Sequence, residues 1–366
     1  MGLTESDCAE VLASSAQAAG VGPLARVEEL AASGRTLVWR VTDGTATYVV
    51  KVYLSDDNHP WAREASALGA LSSSSAPRLL GACSEPQLIV MSDLGLGGSL
   101  ADVVMADGPS LAGASVADWA GSLAHLHQDS AGVADSYAEL LARRASQQVV
   151  HDRPRALREA ADILATVAPR LRVSVSDEAK ARLSAMAETF AVPMQVLSPG
   201  DTCPDNNLVN SGRLAFLDFE FAEVRHAAWD VAYVRVPWPT CWCAWRLPAE
   251  VSERALARYR EVLRASIAGV DSPEFEHDVD VATLGWCLES AAMFLEEALS
   301  PKASGETMAR RPGRRPLVLD RLAQASGMTV DRVLADLGRE LHVALLREWG
   351  EDPLDLAPAF RPRSKS

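Results

Sequence analysis

Two short acidic loops, one hairpin apart, constrain this chain more than any other feature. Leu197-Ser198-Pro199-Gly200-Asp201-Thr202-Cys203-Pro204-Asp205-Asn206-Asn207-Leu208-Val209 sets an aspartate five residues before an asparagine and runs straight into an apolar strand. Phe216-Leu217-Asp218-Phe219-Glu220-Phe221-Ala222 ends an apolar strand on a second aspartate. The segment between them reads as a hairpin over Asn207–Leu217 that turns at Ser211-Gly212. Phosphoryl transfer from a nucleotide needs this equipment: one acid orients the attacking hydroxyl, while an asparagine and a second acid hold the metal on the phosphates. Each loop taken singly also reads as an Asp/Asn turn whose side chains bond their own backbone. The order of the surrounding parts decides between the two readings.

Upstream, Thr47-Tyr48-Val49-Val50-Lys51-Val52-Tyr53 follows the turn pair Asp43-Gly44 and is rich in β-branched and aromatic residues around one lysine. An ammonium in such a strand can contact nucleotide phosphates if a carboxylate keeps it positioned. Glu64 is the candidate, in a segment whose apolar spacing suits a helix from about Pro60. A solvated surface lysine and glutamate are the bland alternative. Residues Leu30 to Val41 read as strand, turn, strand, with Gly34 either cradling phosphate or making a plain hairpin turn. Gln87-Leu88-Ile89-Val90-Met91-Ser92-Asp93 then breaks into a Gly-rich connector, as a hinge between two lobes would, and Met91 and Asp93 are candidates for nucleotide contact.

In this order, from about Val27 to Val236, the parts resemble the aminoglycoside phosphotransferase and choline kinase family, which has a protein-kinase-like fold. The family's HGDxxxxN loop is matched by Gly200, Asp201 and Asn206, and its metal loop by Asp218. The resemblance implies Asp201 as catalytic base, Asn206 and Asp218 as Mg2+ ligands, and Lys51 with Glu64 as the phosphate-positioning pair, with ATP or GTP as co-substrate. It also implies that the helix ending in Leu126-His127 and the Asp230 of Trp229-Asp230-Val231 belong to the scaffold, Asp230 bracing the catalytic loop. The family's histidine is Pro199 here, and Asp205 stands where glycine is common. Proline donates no hydrogen bond, so the support of Asp201 must differ from the usual one.

The implied architecture is α+β and two-lobed: an antiparallel-sheet lobe with a leading helix over 1–92, a hinge at 93–100, and a mainly helical lobe over 101–352. A capping pair, Thr4 and Asp7, opens the leading helix. Ala/Leu periodicity places helices at 115–128, 135–149, 152–168, 176–190, 249–268, 273–299 and 329–349. The prolines and glycine of Arg310-Arg311-Pro312-Gly313-Arg314-Arg315-Pro316 predict a solvated loop, and Pro353 to Ser366 a frayed tail.

Acceptor identity is the least legible part. Trp238, Trp242 and Trp245 crowd a proline-bounded segment beside Glu220 and Glu223; they either line a pocket for a cationic acceptor or fill the core. Cys241 and Cys243, with Cys203 in the catalytic loop, suggest zinc, but the missing second pair of closely spaced ligands favours buried free thiols. His125 and His127 lie on different helix faces and read as packing or capping residues. A net charge of −14, from 35 basic and 49 acidic residues, argues against a nucleic-acid partner; it suits a cationic substrate or merely solubility. Scattered cysteines, no basic-then-apolar leader and no apolar stretch of ~20 residues point to a cytoplasmic protein without a membrane partner, and no motif specifies an oligomer. The leading expectation is an O-phosphotransferase acting on a small-molecule hydroxyl. A nucleotide-binding regulatory protein with little catalysis is the alternative, and nucleotidyl transfer a third.

Overall fold

The computed structural model describes residues 4–106, 108–145, 152–210, 213–300 and 311–362. Helix α1 (Glu5–Ala19) begins at a reciprocal cap, Asp7 N donating to Thr4 Oγ1 at 3.2 Å and Thr4 N to Asp7 Oδ2 at 2.9 Å. Five antiparallel strands follow: β1 (Ala25–Ala32), β2 (Thr36–Thr42), β3 (Thr47–Tyr53), β4 (Leu79–Ser84) and β5 (Gln87–Ser92), in the order β1-β2-β3-β5-β4. Helix α2 (His59–Ala70) connects β3 to β4.

Strand alternation decides what this sheet does. Trp39, Val41, Val50, Val52, Leu88 and Val90 pack together on the face that α1 covers through Val11. The intervening residues, including Lys51, Tyr53, Ile89 and Met91, necessarily point to the other face, because side chains alternate with a period of two. Lys51 is paired with Val38 on one side and Ile89 on the other, so its register is fixed from both neighbours. The lysine thus turns inward without any cost to the apolar face.

The second lobe is mainly helical. Its helices are α3 (Leu100–Met105), α4 (Pro109–Asp129), α5 (Ala134–Arg144), α6 (Asp152–Val167), α7 (Asp177–Ala185), α8 (Ala228–Val231), α9 (Ala249–Leu263), α10 (Pro273–Leu299), α11 (Arg314–Ser326) and α12 (Arg332–Trp349). Two small antiparallel ribbons interrupt them: β6 (Gln195–Ser198) with β9 (Glu223–His226), and β7 (Asn207–Asn210) with β8 (Arg213–Phe216). Helix α10 is buried on nearly every side, as an apolar helix at the centre of a lobe must be. The molecule is α+β and two-lobed, as expected.

Three expectations are corrected. The basic run is not a loop: α11 starts at Arg314 after Gly313 at its N-cap, and Pro316 sits in the first turn, where its missing N–H has no intrahelical partner to lose. Arg310 itself lies outside the described residues. The stretch from Leu354 to Phe360 is packed, since Leu354, Ala357 and Ala359 are buried and Arg246 exchanges backbone hydrogen bonds with Asp355 and Ala357, while 363–366 lie outside the described residues. Helix α5 stops at Arg144 and α9 at Leu263, short of the periodicity, while 146–149 and the Ser211-Gly212 turn lie outside the described residues. No helix among the described residues is long and apolar enough to cross a membrane.

Candidate active site

Between the lobes lies a cleft of about 460 Å³, with Val38, Val49 and Met91 on the sheet side and Leu208 and Leu217 on the other. Lys51, Asp93, Asn206 and Asp218 line it too. A wider hollow of about 1000 Å³ between α2, β4 and α5 contains none of these polar groups.

Lys51 Nζ donates to Glu64 Oε2 at 2.6 Å and to Asp218 Oδ1 at 3.0 Å, and the Tyr53 hydroxyl donates to the same Glu64 oxygen at 2.6 Å. Glu64 comes from α2 in the sheet lobe, Asp218 from the helical lobe. Burial opposes the charge on Lys51, but the Glu64 and Asp218 carboxylates outweigh it and hold the ammonium above its ordinary pKa. The lysine is therefore a fixed cation at the cleft floor, and the surface-pair alternative is excluded by burial: Glu64 is 0 % exposed and Lys51 6 %.

Asp201 follows Gly200, whose φ is +84°. A β-carbon there would lie 2.0 Å from the Phe221 carbonyl oxygen, so only glycine lets the catalytic loop press against the metal loop. The Asp201 carboxylate accepts the Cys203 N–H at 3.2 Å, and Asn206 Nδ2 donates to the Asp201 carbonyl at 3.3 Å. Burial raises the Asp201 carboxyl above its ordinary value, with the Cys203 contact acting the other way. Leu217 N donates to the Asn206 carbonyl at 2.9 Å, which stitches the two acidic loops together.

The support that Pro199 cannot supply comes from a buried network. Ser198 Oγ accepts the Gly200 N–H at 2.9 Å and donates to Asp230 Oδ1 at 2.9 Å. Arg225 also binds Asp230 Oδ1 and reaches the Gly200 carbonyl at 3.0 Å, while His127 Nε2 contacts Asp230 Oδ2 at 2.9 Å and its Nδ1 contacts the Tyr259 hydroxyl at 2.7 Å. Asn207 ties the same loop to the start of α3, accepting the Leu100 N–H at 2.9 Å and donating to the Cys203 carbonyl at 3.3 Å. Sequence reasoning missed Ser198, Arg225, Asn207 and Tyr53. The signal for Arg225 was available: a charged residue inside a four-residue strand that leads into the Asp230 helix.

Other expected residues fall differently. Gly34 is at the exposed tip of the β1–β2 turn and does not line the cleft; a β-carbon there would meet nothing within 4 Å. The turn is made by Ser33 Oγ, which accepts from Arg35 N and Thr36 N. Asp93 lines the cleft, but its carboxylate is held by Arg40 Nε at 2.7 Å and by the Gly95 N–H at 2.9 Å, so it is a hinge brace. Glu220 pairs with Arg35 at 3.1 Å, joining the hairpin tip to the metal loop. Glu223 is buried against Arg225 and the Arg153 N–H and does not line the cleft. Trp238 and Trp245 are 0 % and 2 % exposed, so they fill the core instead of lining a pocket. Trp242 is partly exposed, and its Nε1 donates to Asp205 Oδ2 at 2.6 Å.

Asn206 and Asp218 suit a hard cation. The amide nitrogen of Asn206 is engaged by Asp201, leaving its oxygen free to act as a donor, and one carboxylate plus an amide oxygen on a cleft wall is an oxygen set that could hold magnesium.

The model of the phosphotransferase enzyme family matches residues 26–270 of the chain. No curated protein sequence matches it. Among solved structures the chain is similar to an ethanolamine kinase from Plasmodium vivax, at 13% identity over 82% of this chain and 81% of that one, with a TM-score of 0.48. It is also similar to the macrolide 2'-phosphotransferase MphH from Brachybacterium faecium, at 21% identity over 76% and 88% of the two chains, with a TM-score of 0.45. A choline kinase from Cryptosporidium parvum Iowa II is similar at 12% identity over 87% and 93%, with a TM-score of 0.48.

Proposed function

We propose that this chain, which belongs to the phosphotransferase enzyme family, transfers the terminal phosphoryl group of ATP or GTP to a hydroxyl of a small molecule. The observation that carries the reading is the convergence of Lys51 on both Glu64 and Asp218 at the floor of a cleft that Asn206 also lines. The apolar walls from Val38, Val49, Met91 and Leu208 suit a purine base, and Lys51 suits the α- and β-phosphates. Asn206 and Asp218 would hold magnesium, which neutralises charge on the phosphates when bound.

Asp201 is the base in this reading. Its carboxylate is aimed by the Cys203 N–H and would accept the proton of the acceptor hydroxyl as that oxygen attacks phosphorus. Burial raises its proton affinity, which strengthens it as an acceptor. The serine, arginine and aspartate network behind Gly200 keeps the loop aimed without the usual histidine. A net charge of −14 favours cationic acceptors over anionic ones at long range.

The test is nucleotide consumption with magnesium over a panel of aminoglycosides, other hydroxylated antibiotics, amino alcohols, sugars and nucleosides, with product mass read for each hit. A product heavier by one phosphoryl group supports the reading, and one heavier by a nucleotidyl group replaces it. Pro199 favours a second reading, a nucleotide-responsive regulatory protein. A magnesium-nucleotide thermal shift with no phosphorylated product across the panel would favour that reading.

A further inference from the structure

The loop from Asp201 to Asn206 carries a second set of potential ligands. Cys203 and Asp205, both between Asp201 and Asn206, meet Cys241, and one donor atom from each lies within 4.8 Å of the other two. Cys241 Sγ is 3.5 Å from Asp205 Oδ1, and Cys243 Sγ, outside that cluster of three, lies 3.3 Å from Cys241 Sγ. None of these cysteines is in a disulfide. Two segments far apart in sequence thus bring two thiols and a carboxylate together, with a third thiol next to Cys241, where the sequence alone favours free thiols over zinc.

The spacing suits a tetrahedral ion. Zinc–sulfur bonds of ~2.3 Å and zinc–oxygen bonds of ~2.0–2.2 Å require donor–donor edges of roughly 3.4–3.8 Å, a range that holds the Cys241–Asp205 contact of 3.5 Å. The thiol donors are soft, unlike the all-oxygen set at Asn206 and Asp218, so the two sites select different metals. The Trp242 indole N–H on Asp205 Oδ2 is the kind of outer contact that orients a ligating carboxylate.

We propose that Cys203, Asp205 and Cys241 bind one zinc ion, with Cys243 recruited from beside Cys241 as the fourth ligand, and that the ion clamps the Asp201–Asn206 loop to the Cys241-Trp242-Cys243 segment. Binding displaces the thiol protons to solvent and leaves three thiolates and one carboxylate on the ion. Because the Cys203 N–H aims Asp201, fixing the Cys203 side chain also fixes the base. The clamp and the Ser198–Arg225 network hold the loop from opposite ends.

The experiment measures metal directly. Full-length protein prepared with zinc and then desalted is expected to retain about one zinc per chain by elemental analysis. The Cys203→Ser/Cys241→Ser double variant is expected to retain almost none. Apoprotein titrated with cobalt(II) is expected to develop an intense thiolate-to-metal charge-transfer band and tetrahedral visible bands. Asp205→Asn, a change at an exposed residue that keeps the thiols, is expected to weaken zinc competition against a chromophoric chelator by about 10–100-fold. Wild-type protein that retains no zinc and shows no charge-transfer band with cobalt overturns the proposal. So does a Cys241–Cys243 disulfide found by mass spectrometry in metal-free, freshly purified protein. Unchanged chelator competition in Asp205→Asn overturns the four-ligand assignment.

Discussion

The Arg225 guanidinium donates to the Gly200 carbonyl oxygen at 3.0 Å, immediately before the aspartate assigned as base. Arg225 is itself anchored on Asp230, which also takes Ser198 and His127. A buried charge cluster therefore does the aiming that a histidine in place of Pro199 would otherwise share.

Asp201→Asn is expected to lower turnover by at least ~10²-fold, the usual cost of losing a positioned base, with nucleotide affinity nearly intact. Steady-state rates with calorimetric nucleotide titration check this. Unchanged turnover removes Asp201 from the mechanism.

Asp218→Ala is expected to abolish magnesium-dependent nucleotide binding while the protein stays folded, because Lys51 retains Glu64 as a partner. Titration calorimetry with and without magnesium reads the difference. Normal metal-nucleotide affinity would refute the assignment of Asp218.

Asp230→Asn is expected to destabilise by about 3–5 kcal/mol at neutral pH, because Arg225 would be left buried with only Glu223 beside it. Burial pushes the Asp230 carboxyl up, but Arg225 and His127 outweigh it and hold it well below the ordinary carboxylate range. Such a group contributes stability that is complete above the unfolded value of ~3.9 and is lost as pH falls through the lower folded value. The melting-temperature gap between wild type and variant should therefore be flat from about pH 5 to 7 and narrow below about pH 4. A gap that does not change with pH contradicts the ion-pair account.

Gly200→Ala is expected to cut turnover by more than ~10²-fold or to prevent folding, since φ of +84° and the Phe221 carbonyl both exclude a β-carbon. Gly34→Ala should leave nucleotide affinity and melting temperature almost unchanged, because nothing lies within 4 Å of the added methyl. A large loss of nucleotide affinity in Gly34→Ala would restore that turn to the cleft.

Trp238→Ala and Trp245→Ala are each expected to cost about 3–5 kcal/mol of stability, the range for a fully buried aromatic, and to leave the acceptor Michaelis constant of the surviving enzyme unchanged. Denaturant titration paired with kinetics separates the two effects. A raised Michaelis constant at wild-type stability would return these side chains to an acceptor wall.

Much of the scaffold was legible because its signals are local. The Thr4–Asp7 cap, the lysine inside a β-branched strand and the apolar periodicity of α10 each announce themselves within a few residues. Other features depend on pairings across the chain. Whether Lys51 meets Glu64 depends on the placement of α2, and Ser198, Arg225 and Asp230 become a network only when β6 pairs with β9. The tryptophans looked equally like pocket and core because composition does not encode which side of a loop faces a neighbouring helix. Helix α11 was missed because Pro316 breaks a helix interior but not a first turn, and the sequence alone does not say which applies.

The close approach of Gly200 to Phe221, with the Leu217 N–H on the Asn206 carbonyl, ties the Asp201 loop and the Asp218 loop together. An insertion in either loop would re-aim both carboxylates at once, so drift in this part of the gene is limited to substitutions that leave the backbone in place. The surrounding helices are tied to it where they supply its partners, as His127, Asp230 and Tyr259 do. Substitutions in the helical lobe that spare those partners leave both carboxylates where they are, which separates changes in the cleft walls from changes in the acidic loops.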